Sequence, residues 1–216
     1  MTTLNRTVLA AAFASVFTAA PVLAYEAGDF IARAGWAHVA PDTDSDEFPN
    51  VPGATADVDD TDSLGLTFSY LITDNIGVGV LAAYPFKADI KGDGVLPGIG
   101  VDKIGDTKFL PPTVTLQYHF DTASDFHPYV GAGINYTFFW DEDTSDAPFA
   151  GTDLDLDDSW GFAAEAGLDY TFQNDYLVSA QVWYINIETE ADSELAGKAD
   201  VDIDPWVFML GVGKKF

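Results

Sequence analysis

Eight stretches of this chain alternate in polarity with a period of two, and that periodicity restricts the fold more than any other feature. In the stretch that runs to Phe216, Trp206, Phe208, Leu210 and Val212 fall on one face and Val207, Met209, Gly211 and Gly213 on the other. Successive residues of a strand point to opposite faces, so each face can meet a different environment. In a soluble sandwich those would be core and water. Here large aromatic or branched residues hold one face, and small or polar residues hold the other. A closed barrel, with lipid outside and a small polar interior, satisfies both faces. The expected fold class is all-β: an eight-stranded antiparallel transmembrane β-barrel with short periplasmic turns and long acidic extracellular loops.

The pattern predicts strands at Asp29–Val39, Ser63–Ile72, Ile76–Lys87, Lys108–Phe120, Phe126–Trp140, Ser159–Phe172, Tyr176–Glu188 and Pro205–Phe216. Turn residues fall where it breaks: Thr73-Asp74-Asn75, Asp121 to Asp125, and Gln173-Asn174-Asp175. The other connectors are long: Pro41–Asp62, Ala88–Thr107, Asp141–Asp158 and Thr189–Asp204. Short and long alternate, which puts the short turns and both chain ends in the periplasm. Aromatics gather at strand ends as membrane girdles: Tyr25, Phe30, Tyr118, Phe120, Phe126, Tyr170, Phe172 and Tyr176 below, Tyr84, Trp140 and Trp160 above.

Residues 1–24 read as a signal peptide, with Arg6, an uncharged apolar run from Val8 to Ala20, and the small-residue cleavage site Pro21-Val22-Leu23-Ala24. The run is short for a membrane helix of roughly 20 residues. Residues 25–216 then form one barrel domain, in the outer membrane of a Gram-negative bacterium. The chain has no cysteine, so disulfides and thiol chemistry are excluded. It carries 35 acidic residues against 9 basic. Phosphate binding needs a basic surface, so nucleic acid is excluded as a partner.

The inward face carries small polar residues such as Thr113, Thr115, Gln117, Ser179 and Gln181, together with Leu81, Phe139, Trp183 and Ile185. The latter four are the candidate lining of an apolar channel. Arg33 lies low on the inward face of the first strand, where Glu165 and Asp169 share its height. A buried guanidinium requires a carboxylate partner, so these three are expected to form an ion-pair plug. Pro85 and the pair Pro111, Pro112 stand at matching heights on hairpin neighbours. Proline donates nothing to the ladder, and the three mark a candidate lateral opening in the wall.

The acids concentrate in the long connectors: Asp42, Asp44, Asp46 and Glu47, then Asp57, Asp59, Asp60 and Asp62, with a further group from Asp141 to Asp158. Asp42-Thr43-Asp44-Ser45-Asp46 is similar to the start of a calcium-binding EF-hand loop, but Glu47 stands where glycine is required, and the match is set aside. Solvated, self-repelling loops with diffuse divalent-cation binding are expected. The sequence calls for no cofactor and no metal site. His119 points inward with no serine at its height on an adjoining strand, His38 faces outward and His127 adjoins a turn, so no catalytic constellation is expected.

Several motifs carry a resemblance. Thr73-Asp74-Asn75-Ile76-Gly77-Val78, Leu110-Pro111-Pro112-Thr113, Pro128-Tyr129-Val130-Gly131-Ala132-Gly133-Ile134-Asn135-Tyr136-Thr137, Asp158-Ser159-Trp160-Gly161, Val182-Trp183-Tyr184 and Asp204-Pro205-Trp206-Val207-Phe208 resemble the OmpW outer membrane protein family, which includes AlkL and OprG. The resemblance implies an eight-stranded barrel that passes small hydrophobic molecules, and it marks Phe216 as a signal read by the barrel-assembly machinery. Lys214 departs from it, standing where an aromatic is usual; a lysine facing lipid there must snorkel. The expected function is passive uptake of small hydrophobic molecules through an apolar lumen with lateral exit into the bilayer. The alternative is a structural or interaction barrel with a filled lumen, whose acidic loops bind cations or surface partners. The expected partners are lipid, lipopolysaccharide, apolar solutes and the assembly machinery, around a monomer.

Overall fold

Every second residue that is β-branched or aromatic favours a half-buried strand, and fifteen strands form among the described residues. The structure, a computed structural model, describes residues 25–216. The expected signal peptide, residues 1–24, lies outside the described residues. The strands are β1 (Phe30–Ala40), β2 (Asp44–Ser45), β3 (Ala54–Val58), β4 (Thr61–Leu71), β5 (Ile76–Ala83), β6 (Phe86–Gly94), β7 (Lys103–Leu110), β8 (Thr113–His119), β9 (Phe126–Thr144), β10 (Leu154–Leu156), β11 (Ser159–Phe172), β12 (Tyr176–Ile185), β13 (Glu188–Ser193), β14 (Gly197–Asp202) and β15 (Trp206–Lys215).

Eight of them close a barrel in the order β1–β4–β5–β8–β9–β11–β12–β15 and back to β1, antiparallel at each seam. The closing seam pairs Ile31 with Lys215, and Phe30 exchanges both backbone hydrogen bonds with Phe216, at 3.1 and 2.8 Å. Leu64, Leu116, Ile134, Phe162, Leu210 and Val212 stand exposed on the outer wall. Arg33, Ser69, Thr115, Gln117 and Asp169 are buried within. The parity read from the sequence therefore holds around the ring. Tyr25 is a correction to the girdle: it is buried in the barrel mouth, where its hydroxyl donates to Asp169 at 2.9 Å.

The long connectors differ more from expectation. They are built of strand. β3, β6 and β7 join the upper part of β9 in one antiparallel sheet, and β10, β13, β14 and β2 form a second. The physical reason is again a period of two, now with acids as the alternate residue. Ala88 and Ile90 point inward on either side of Asp89, and Ala199, Val201 and Ile203 alternate with Asp200 and Asp202. Each sheet thus has an apolar inner face and a charged outer one.

On the first sheet the charges are paired across strands: Lys87 with Asp106 at 2.7 Å, Lys103 with Asp89 at 2.9 Å, Lys108 with Asp141 at 2.7 Å and Lys91 with Asp59 at 2.5 Å. On the second, Lys198 meets Glu190 and Asp192, while Asp44, Asp157, Asp158, Glu188, Asp200 and Asp202 share an open acidic groove. The difference is visible in two carboxyls. Hydrogen bonding to Lys87 holds Asp106 below the ordinary aspartate range despite partial desolvation. Desolvation, with the charges of Glu188, Asp204, Asp44 and Asp200, holds Asp202 above it.

A depressed carboxyl lends stability above its unfolded value and loses it as pH falls through the folded one; an elevated carboxyl costs stability as pH rises through the folded value. Asp202→Asn is therefore expected to raise the thermal midpoint at neutral pH and low salt, by a gain worth up to about 1 kcal/mol. The gain should shrink with added salt and vanish below about pH 3. Asp106→Asn should do the reverse, lowering the neutral-pH midpoint and having no effect in acid. Thermal unfolding in detergent across pH reads both signs.

Candidate functional site

The interior divides by height. At the periplasmic end it is filled by a polar network. Arg33, fully buried on β1, donates through Nε to Asp169 Oδ1 at 3.0 Å, through Nη2 to Asp169 Oδ2 at 2.5 Å, and through Nη1 to Ser69 at 2.9 Å. Its guanidinium also lies 5.2 Å from the centroid of the Tyr129 ring. Tyr25 stacks on His127 at 4.2 Å, and His119 stacks on Tyr129 at 4.9 Å. Glycines make the room. A Cβ on Gly167 would sit 2.2 Å from the Tyr129 ring, and one on Gly131 would sit 2.6 Å from Glu165.

Of the two acids expected to pair with Arg33, Asp169 does so and Glu165 does not. Glu165, on β11 directly across from Trp183 of β12, accepts hydrogen bonds from Gln117 at 2.9 Å, from the Thr115 hydroxyl and from the Trp183 indole N–H at 3.0 Å. Trp183 is thus a divider. Its polar edge is bonded to the plug below, and its ring belongs to the apolar cluster above, with Leu81, Ala163, Ile185, Val207 and Met209.

Above the divider, the inner faces of the two upper sheets enclose an apolar chamber. Its wall includes Ile90 of β6, Ile104 and Phe109 of β7, Phe139 of β9, Leu156 of β10 and Ile187 of the β12–β13 link. The free interior is about 40 Å³, close to the share of liquid occupied by one or two waters. Phe48, which lines the chamber, and Leu96, Phe149 and Ala196, all from the connecting loops and turns of the upper sheets, are buried in the same cluster. Of the four lining residues expected from sequence, Phe139 lines the chamber wall. Leu81, Trp183 and Ile185 pack in the cluster beneath it and form its floor.

The wall is interrupted beside the floor. The β5–β8 ladder ends at the pair Leu81–Thr113, and the β6–β7 ladder begins at Phe86–Phe109. Between them Ala82–Pro85 face Leu110–Pro112 with no pairing, and the strands break at Pro85 and at Pro111–Pro112. Proline supplies no N–H, so the ladder cannot continue through it. The carbonyls still find partners on the far side: Pro112 accepts from the Tyr136 N–H at 3.1 Å and from Asn135 Nδ2 at 3.3 Å. The unpaired stretch thus lies between β5–β6 and β7–β8, next to the stacked pair Phe86 and Phe109, whose centroids are 5.3 Å apart.

The family follows from comparison. The OmpW family model matches residues 26–216. The chain belongs to the OmpW family. It is 46% identical to outer membrane protein W of Vibrio cholerae, over 99% of this chain and all of that protein. The crystal structure of OprG from Pseudomonas aeruginosa superposes with a TM-score of 0.81 at 42% identity, covering 89% of this chain and 97% of that one. The dibenzothiophene metabolism operon protein PahQ of Pseudomonas aeruginosa is 31% identical over 85% of this chain and 87% of its own. This OmpW-family barrel is therefore an outer-membrane protein of a Gram-negative bacterium.

Sequence reading missed the residues of the chamber wall that lie in the connectors. The signal was the apolar member of each acidic pair, as in Leu154-Asp155-Leu156 and Val201-Asp202-Ile203.

Removing one partner of a buried ion pair costs about 3–5 kcal/mol, whereas replacing both by apolar residues of similar size costs far less. Arg33→Ala should therefore lower the barrel's denaturation midpoint strongly, and Arg33→Leu combined with Asp169→Leu should recover much of the loss. Urea titration of the folded barrel, followed by its heat-modifiable gel shift, measures both.

Proposed function

We propose that this barrel is a passive channel for small hydrophobic molecules, which enter the apolar chamber from outside and leave sideways into the bilayer. The observation that carries this reading is the chamber itself: a wholly apolar enclosure above a closed polar plug and beside a break in the barrel wall. The charged and hydrogen-bonded plug beneath the floor is a poor path for an apolar solute. The unpaired stretch at Pro85, Pro111 and Pro112 is the way out that needs no rupture of backbone hydrogen bonds. Backbone left unpaired at membrane depth is costly unless it lines a protein or water cavity, and this stretch borders the chamber floor. The name of PahQ, which places that relative in dibenzothiophene metabolism, supports an aromatic, apolar class of solute.

With about 40 Å³ free, the chamber admits a solute only when residues of its wall, such as Phe48, move outward. Passage is therefore gated by the upper sheets, and the lower barrel stays fixed.

Two variants test the route in proteoliposomes, by uptake of an apolar aromatic dye added outside. Ile187→Asp puts a charge on the chamber wall; its desolvation costs several kcal/mol, so uptake should fall at least about tenfold while the barrel still folds. Cysteines at Tyr84 and Leu110, in a chain with none of its own, joined by a reducible thiol linker should block uptake until reduction restores it. Undiminished uptake through the linked form would reject lateral exit; undiminished uptake in both would reject the chamber route, and absence of protein-dependent uptake by the parent would favour the reading of a filled, structural barrel.

A further inference from the structure

The outer wall is almost free of charge, and its one basic side chain among the described residues is Lys214. Arg33 points inward, and Lys215, one residue on, is inward too, held by Asp29 at 3.4 Å and Asp175 at 3.8 Å. Lys87, Lys91, Lys103 and Lys108 are paired with acids on the first upper sheet, and Lys198 on the second. Lys214 faces lipid between Ala32 of β1 and Tyr176 of β12, its strand partners. Among the described residues no carboxylate lies within ion-pair distance of it. Its ammonium instead lies 5.1 Å from the Tyr176 ring centroid and 5.2 Å from that of Phe216.

Beside it the wall is hollowed. Small residues of β1 and β15, Ala32, Ala34 and Gly213, floor a groove of about 450 Å³ that Phe68, Phe172 and Phe216 border. An unpaired cation in a belt of aromatics, at the head of an apolar furrow, is complementary to one kind of molecule at that depth. We propose that this groove is a binding site for a single anionic glycerophospholipid of the periplasmic leaflet, its acyl chain in the furrow and its phosphate on Lys214. The furrow supplies buried methylene contacts, and the lysine discriminates by charge. The site lies at the opposite end of the barrel from the chamber and does not rest on the transport reading.

The test is titration of the detergent-solubilised, folded barrel with phosphatidylglycerol or phosphatidylcholine, counting retained lipid by native mass spectrometry. One phosphatidylglycerol per barrel is expected to be retained in preference to phosphatidylcholine. Lys214→Gln should weaken that binding about fivefold, the effect of one basic residue near a lipid surface, and Lys214→Arg should keep it. Ala34→Phe, which fills the furrow from the lipid side and leaves the lysine in place, should abolish it. The gel shift confirms that each variant is folded. Equal retention of the two lipids by the parent, or full retention by Lys214→Gln or Ala34→Phe, would overturn the proposal.

Discussion

No backbone N–H or C=O can be left open to hydrocarbon, and the rest of this structure depends on that constraint. It forces the sheet to close, and closure here is made at the chain's last residue, where Phe216 and Phe30 exchange hydrogen bonds. With the ring closed at eight strands, the interior is only wide enough for side chains to fill. The protein fills the lower part with a polar network and leaves an apolar space above the ring, where sheets need not obey the hydrocarbon's rule. The break at Pro85 and Pro111–Pro112 is permitted at the boundary between the two regimes, because the neighbouring strand β9 takes up the carbonyl of Pro112.

Trp183 shows how the two halves are kept apart. A tryptophan buried among aliphatic residues usually needs a partner for its N–H, and Glu165 provides it. The same carboxylate is fixed by Thr115 and Gln117, so the divider is tied into the plug. The plug in turn is built around Arg33 and Asp169, whose charges cancel where water is excluded. Polar and apolar levels are thus linked through one side chain with a face for each.

The barrel was legible in the sequence because membrane strands obey a strict parity, and every lipid-facing position from Leu64 to Val212 declares it. Arg33 was legible for a related reason: a buried inward guanidinium demands an acid partner. Which acid it takes was not, since Glu165 and Asp169 share that face and parity alone does not separate them. The upper strands were hidden by their charge. Runs such as Asp153 to Asp158 read as repelling loops when the acids are counted, and as strands when the alternate residues, Leu154 and Leu156, are counted instead. Tyr25 was hidden because an aromatic near a strand start reads equally as a girdle or a stopper; only the position of Asp169 decides.

One strand runs without interruption through both regimes. β9 spans Phe126–Thr144, 19 residues, which at the usual rise and tilt climbs roughly 45 Å, against an apolar band of about 25 Å in barrels of this kind. Its upper third therefore stands clear of the bilayer like a mast, and Phe139, on the chamber wall, is carried on that part. On the proposed route, a solute would shed its water at that level before reaching the depth of the membrane. Dehydration and entry into lipid would then be separated in space, along a single strand.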